Sequence, residues 1–253
     1  MPPLSADSDA DRPHDGAGVF ATTHWSVVLQ AGNGESPSAS EALDQLCRVY
    51  WYPLYAYVRQ RGYSRDDAQD LTQSFFLRLL ERDLLADLKP AGAKFRSFLL
   101  AALKNHLAGE WVRAHAAKRG GMNPVLSLDA LDPETRYAQE PEDTASPDAA
   151  FDRRWAETVL QQALERLRTE QTSQGKEAVF EALAGFLTGS GPTDSYADLA
   201  VQLVMSEAAV KMTVHRLRKR YGELLRLEVA NTVSTAAEVQ QELRCLLAAI
   251  SAG

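Results

Sequence analysis

The chain holds little cysteine, few histidines and no long apolar run. Only Cys47 and Cys245 occur among 253 residues, in no CxxC arrangement. That excludes a disulfide framework and a cysteine-built metal site, and it fits a reducing cytoplasm. No segment reaches the roughly 18 apolar residues that a membrane span needs. The five histidines, His14, His24, His106, His115 and His215, show no HExxH-type spacing. Walker-type, GxGxxG and GxSxG sequences are absent too, so no cofactor, no metal and no enzymatic activity are expected. Strand signals are scarce: there is little two-residue alternation, and no Asn-Gly or Asp-Gly hairpin lies between β-branched runs.

What is present is charge, unevenly spread. The whole chain carries −7, from 27 Lys/Arg against 34 Asp/Glu. Taken alone, that argues against a nucleic-acid partner. The segment from Lys94 to Arg119, however, has six Lys/Arg and one acid, Glu110. Met205 to Gly222 has five Lys/Arg and one acid, Glu207. Between them, residues 120–150 hold seven acids and only Arg136. Two basic modules joined by an acidic strap is the more informative description.

Helical periodicity dominates the rest, so the expected fold is all-α. A helix is expected from Ser38 to Arg61, bent or split at Pro53. Ser64 with Asp67 caps the next one, to about Arg82. A loop with Pro90 and Gly92 precedes a long helix from Phe95 to Lys118. Gly120-Gly121 closes this first unit. Pro124, Pro133, Pro141 and Pro147 mark the linker as extended or mobile. Further helices are expected over 148–170, 176–187, 195–203 and 206–229. A last amphipathic one carries Val239, Leu243, Leu246, Leu247 and Ile250 on one stripe. The expected organisation is an acidic disordered tail (1–20), a helical domain (21–119), an acidic proline-containing linker (120–150), a second helical domain (151–230) and a helical extension (231–253). The tail has no apolar core and is not a signal peptide.

The second domain carries the most specific pattern, "SYADLAVQLVMSEAAVKMTVHRLRKRY" from Ser195. A short helix with Leu199, Ala200 and Leu203 is followed by a brief break, and Ser206 caps a second helix. Val210, Val214, Leu217, Tyr221 and Leu224 form its buried stripe. Ala208, Lys211, Met212, His215 and Lys219 fall opposite, flanked by Arg216 and Arg218. A short helix, a tight turn and a second helix with a basic outer face describe a helix-turn-helix. Its N-terminal outer residues reach base edges and its later cations reach phosphates. Val204 stands where many such turns use glycine. A β-branched residue at positive φ there costs about 1–2 kcal/mol, or the turn takes another geometry.

The first domain offers two faces. In the helix from Ser64, Ala68, Leu71, Phe75 and Leu79 read as core, while Asp66, Asp70, Gln73 and Leu77 lie opposite. A leucine within an acidic stripe suits a protein-docking surface. In the helix from Phe95, Phe95, Leu99, Ala102 and His106 read as buried. Lys104, Trp111, His115 and Lys118 lie outside, and cations interleaved with an aromatic suit single-stranded nucleic acid. A solvated face and a core tryptophan are the plain alternatives.

In this order the parts resemble bacterial RNA polymerase sigma factors of the extracytoplasmic-function (ECF) group, from about Thr23 to Leu247. "SRDDAQDLTQSFFLRLLER" is similar to the segment that docks on the clamp helices of the polymerase core. "FRSFLLAALKNHLAGEWVRAHAAKR" is similar to the helix that opens and holds the minus-10 element. The Ser195–Tyr221 stretch is similar to the motif that reads the minus-35 element. "TTHWSVV" and the helical extension point to a subgroup. Phe98 and Val204 depart from the family's usual tryptophan and glycine, and "GKEAVFEALAGFLTGSG" lacks the usual leucine-proline opening. The resemblance implies core-polymerase contacts from Asp70, Gln73 and Phe76. It implies minus-10 contacts from Arg96, Lys104, Asn105 and Trp111, and minus-35 contacts from Lys211, His215, Arg216 and Arg218. The implied partners are RNA polymerase core, promoter DNA and an anti-sigma or other regulator, in the cytoplasm. The competing reading is a stand-alone helix-turn-helix regulator that binds duplex DNA as a dimer, with the terminal stripe as its seam. The terminal helix is expected to cap the second domain; folding back on the first domain is the alternative.

Overall fold

The computed structural model describes residues 37–80, 95–116, 133–139, 146–188, 195–233 and 236–251. Among them every regular element is a helix. The acidic tail, the "TTHWSVV" stretch and the Pro90–Gly92 loop lie outside the described residues.

Helix α1 (Pro37–Gln60) runs through Pro53 as one element, so it is not split there. Proline in a helix interior costs about 3 kcal/mol. Tyr50, Trp51, Leu54, Tyr55, Tyr57 and Val58 are all buried on either side of it. At about 1.5–3 kcal/mol for each large apolar side chain, their burial outweighs the lost backbone bond. Gly62, at φ 90°, turns the chain into α2 (Arg65–Leu80). The cap there is the expected one: Asp67 N–H donates to Ser64 Oγ at 3.1 Å, and the Ser64 hydroxyl donates to Asp67 Oδ2 at 2.7 Å.

Helix α3 (Phe95–Ala116) buries Phe95, Leu99, Ala102 and His106, as its periodicity predicts. Phe95 meets Tyr50 edge-on at 5.2 Å between ring centroids. Helix α4 (Pro133–Gln139) lies inside the segment expected to be an extended or mobile linker. Pro133 opens it, where a missing amide costs nothing, and Glu134 sits favourably in its first turn. It is held by polar contacts and by the single ring of Tyr137 against the first core, with no apolar stripe for periodicity to show. Arg59 grips Glu134 with Nε at 3.0 Å and Nη2 at 2.9 Å, and the Tyr55 hydroxyl also donates to Glu134. Arg136 lies 3.8 Å from the Tyr52 ring centroid.

Helix α5 (Pro147–Ser173) is capped by Ser146, whose Oγ accepts from Ala149 N–H at 3.3 Å. It joins two cores. Phe151, Trp155, Ala156 and Val159 belong to the first, with the aromatics of α1. Ala163 and Leu167 belong to the second. Around the second core lie α6 (Glu177–Leu183), α7 (Gly185–Thr188), α8 (Tyr196–Gln202) and α9 (Glu207–Ala230).

The last helix is α10 (Ala236–Ser251). It packs on α5 and on α9, and Val239 and Leu246 enter the first core beside residues of α1 and α3. It therefore lies on two helices of the second unit and also reaches the first core. Leu247 and Ile250, expected in its apolar stripe, are exposed, while Glu242 is buried between Val239 and Leu246. Among the described residues no helix is long and apolar enough to cross a membrane.

Candidate nucleic-acid interface

Two short backbone devices fix how α8 leads into α9. A capping box opens α8: Asp198 N–H donates to Ser195 Oγ at 3.2 Å, and Ser195 N–H donates to Asp198 Oδ2 at 3.1 Å. Hydrogen bonds from the Ser195 side chain and backbone hold the Asp198 carboxyl below its usual range. At the other end, Met205 N–H donates to Ala200 O at 2.9 Å and Val204 N–H to Val201 O at 3.3 Å. This pair of bonds is a Schellman motif with Val204 in the left-handed position normally given to glycine. Val204 has φ 53° and is the one non-glycine residue with positive φ among those described. The tight turn is kept and the valine bears the strain. Ser206 follows at once as N-cap of α9, its Oγ accepting from Ala209 N–H at 3.2 Å.

The expected stripe of α9 faces the second core. Val210, Val214, Leu217 and Leu224 are buried, and the half-buried Tyr221 donates its hydroxyl to Leu160 O at 3.1 Å. The expected outer residues Ser206, Ala208, Lys211, Met212, His215, Arg216, Arg218 and Lys219 are all exposed. Their engagements differ. Lys211 Nζ pairs with Glu207 at 2.6 Å one turn back and lies 5.4 Å from the Tyr196 ring centroid. Arg218 is turned inward, with Nε at 3.2 Å and Nη2 at 3.1 Å from Phe186 O of α7. Val201, Val204 and Met212 are exposed apolar side chains of the same unit.

Arg220 belongs to the same basic run but has another job. It chelates Glu170 of α5 and pairs with Glu223. Periodicity alone did not separate it from the outer cations, since it follows Lys219 directly.

On α2, Asp66 and Asp70 are exposed and Leu77 is half-exposed. Gln73 and Phe76 face inward instead. Phe76 is 2% exposed and stacks on Trp51 at 5.2 Å. Of the five residues expected to form a docking surface, Asp66, Asp70 and Leu77 are accessible and Gln73 and Phe76 are not. Phe76 follows the stripe residue Phe75, and a helix this well covered by α1 buries a wider arc than one narrow stripe.

On α3, Lys104, Asn105 and Trp111 are exposed, with Trp111 at 57%. The side chain of His115 and all of Lys118 lie outside the described residues. Arg96, expected on the DNA side, is 7% exposed. Its Nε donates to Glu242 Oε1 at 2.8 Å and its Nη1 donates to Asp152. The guanidinium also lies 4.5 Å from the Trp155 ring centroid. Burial opposes its charge, but the Glu242 and Asp152 carboxylates hold its pKa above the ordinary value. Lys104 pairs with Asp148 at 2.6 Å. The sequence gave no signal for Glu242, because a lone acid in an apolar stripe reads as an interruption of the pattern.

His106 lies on the inner side of α3. Ser74 donates its hydroxyl to Leu71 O at 3.1 Å, so its oxygen is open to a proton from His106 Nε2 at 3.0 Å. Arg78 Nη1 stands 3.3 Å from Nδ1 and donates to it. Burial lowers the imidazole pKa, and the nearby Arg78 and Arg113 act in the same direction against Glu110.

Among the described residues no cluster of His, Cys, Asp and Glu is arranged to hold a metal ion. No protein family, no curated protein and no solved structure matches the chain.

Proposed function

We propose that the chain is a sigma-type specificity subunit of bacterial RNA polymerase, of the ECF kind, acting in the cytoplasm. The observation that carries this reading is the α8–α9 unit. A capped short helix, a Schellman turn and a Ser206-capped second helix leave Lys211, Met212, His215, Arg216 and Lys219 on one open face. In this reading the unit is a helix-turn-helix whose α9 enters the major groove of the minus-35 element. Ala208 and Met212 meet thymine methyls, and the cations meet guanine edges and phosphates. Arg218, tied to α7, orients the helix.

Asp66, Asp70 and Leu77 of α2 dock on the polymerase. Lys104, Asn105 and the exposed Trp111 of α3 receive the opened strand at the minus-10 element, cations following the backbone and the ring stacking on a base. Trapping a flipped base offsets part of the cost of strand opening, which is a few kcal/mol. Affinity divided among three surfaces makes each weak alone and the assembly strong.

The test is reconstitution. Purified chain is mixed with bacterial core polymerase and genomic DNA, and the transcript starts are sequenced. Starts sharing two upstream elements are expected; no chain-dependent start on any fragment overturns the reading. A stand-alone dimeric regulator draws some support from Leu247 and Ile250, which leave an apolar edge on α10. Tight binding to a two-fold symmetric duplex without polymerase favours that reading.

A further inference from the structure

The basic run of α9 has two shoulders, and the cations on them are engaged differently. On one side Lys211 pairs with Glu207, and Arg218 is bonded to Phe186 O of α7. On the other lies a cavity of about 390 Å³ between the end of α5, the start of α6 and α9. Three of its nine lining residues are cations, Lys176, Arg216 and Arg220, and none is an acid. In a chain of net charge −7 that composition is a local reversal of sign. Arg220 is engaged by Glu170 and Glu223. Lys176 Nζ donates to Gln174 Oε1 at 2.9 Å, an uncharged partner. Among the described residues Arg216 makes no hydrogen bond or ion pair.

The backbone fixes where these two cations stand. Helix α5 ends in a Schellman motif: Lys176 N–H donates to Gln171 O and Gly175 N–H to Thr172 O, each at 2.9 Å. Gly175 takes the left-handed position at φ 69°, and Lys176 follows it as the N-cap residue of α6. On α9, Arg216 precedes the buried Leu217. At 100° per residue it falls between Leu217, which lines the cavity, and the outer residues Met212 and Lys219. It therefore belongs both to the cavity and to the open face of α9. Met205 and Leu217 supply an apolar floor that suits long cationic stems whose charged heads stay in water. A helix lying in a major groove about 12 Å wide has a backbone strand on either side. This shoulder meets one of those strands with two cations that no acid neutralises.

We propose that Lys176, with Arg216 beside it, binds a backbone phosphate of duplex DNA at the edge of the groove that α9 enters. Lys176 is then a DNA-binding residue outside the helix-turn-helix, placed by the turn that ends α5. The inference rests on the reading of α8–α9 as a reader of duplex DNA, which a sigma-type subunit and a stand-alone regulator share. It adds a contact that carries no sequence information and fixes the register and orientation of α9 on the duplex.

The experiment uses the full chain and a fluorescein-labelled random-sequence duplex of about 30 base pairs, because a phosphate contact acts on every sequence alike. Affinity is measured from about 0.05 to 0.2 M NaCl, the range over which phosphate contacts dominate the change. Lys176→Gln is compared with Arg244→Gln, which removes an exposed cation on α10, and with Lys176→Arg, which keeps the charge. Losing one phosphate contact lowers the steepness of log K against log salt by about 0.9. With affinity at 1 M unchanged, that is about an eightfold loss at 0.1 M. The loss is expected for Lys176→Gln and not for Arg244→Gln, with Lys176→Arg close to wild type. Lys176 is exposed, so the unfolding midpoints of all forms should agree. Equal slopes for Lys176→Gln and Arg244→Gln overturn the proposal; a loss of affinity in Lys211→Gln then leaves the duplex reading standing. A free phosphate is the other source of the same chemistry. If inorganic phosphate at constant ionic strength raises the midpoint of the wild type but not of Lys176→Gln, and the DNA slope is unchanged, the cavity holds a free anion and the duplex contact is overturned. Failure of every form to bind the duplex also overturns it, while the transcription assay separately decides the sigma-type reading.

Discussion

Both carboxylate oxygens of Glu170 accept from the guanidinium of Arg220, each at 2.8 Å, fifty residues away in the chain. The pair ties the middle of α9 to the end of α5. It lowers the Glu170 pKa, first through the hydrogen bonds and then, against some burial, through the charge of Arg220.

Arg220→Lys keeps the charge and loses the fork. Both partners are partly exposed, so a loss of only about 0.5–1 kcal/mol is expected in urea unfolding. Glu170 has a depressed folded-state pKa. Its contribution is complete above the unfolded carboxylate value and falls away as pH drops through the folded one. The Arg220→Lys deficit should therefore shrink in acid. A deficit that grows in acid would contradict the pairing.

Two backbone repairs are expected in the α8–α9 unit. Val204→Gly removes a β-branched residue from φ 53° and should stabilise by about 1 kcal/mol, less some chain entropy. Gly222→Ala lies inside α9, where an added Cβ meets nothing within 4 Å, and should add about 1 kcal/mol. The sites are about 20 Å apart along the helix, so the gains should sum in a double variant. Denaturation midpoints check both.

His106 predicts a pH dependence. Its folded-state pKa is lowered, so below about 6.5 the unfolded chain takes up a proton that the folded chain refuses. Stability is then complete above that pH and declines as pH falls through it. His106→Gln should flatten the slope between pH 7 and 5. An unchanged slope would show that other groups set it.

The Arg96 cluster should behave non-additively. Arg96→Met leaves Glu242 buried without its cation and is expected to cost about 3–5 kcal/mol. Arg96→Met with Glu242→Leu removes both charges and should recover most of that loss. A double-mutant cycle with a near-zero coupling term would refute the arrangement.

On α2, position decides the outcome. Asp70→Arg should leave unfolding unchanged within about 0.5 kcal/mol and abolish co-purification with polymerase. Phe76→Ala should instead cost about 3–5 kcal/mol of stability, because its ring is packed against Trp51. Normal co-purification of the Asp70→Arg variant would remove α2 as the docking surface.

The legible parts of this fold were those governed by local rules. Ser64, Ser195 and Ser206 announced helix starts because a cap is read from a few adjacent residues. The α9 stripe was legible because each of its members faces one core. At Val204 the sequence left strain or another turn geometry open, and the backbone at φ 53° decides for strain. What escaped depends on partners distant in the chain. Glu134 finds Arg59, and Glu242 finds Arg96, across separations that no periodicity records. Phe76 and Gln73 were misplaced because a helix face is buried by what lies over it, and α1 lies over more of α2 than one stripe predicts.

The grip of Arg59 and Tyr55 on Glu134 anchors α4 to α1 partway along the acidic strap. From Gln139 to Pro147 the chain has eight Cα steps, a reach of at most about 25–30 Å when fully drawn out. That anchor and the packing of Phe151 and Trp155 hold the start of α5 beside α1. The strap is thus moored at both ends of that span, and the residues between have no more than that length in which to wander.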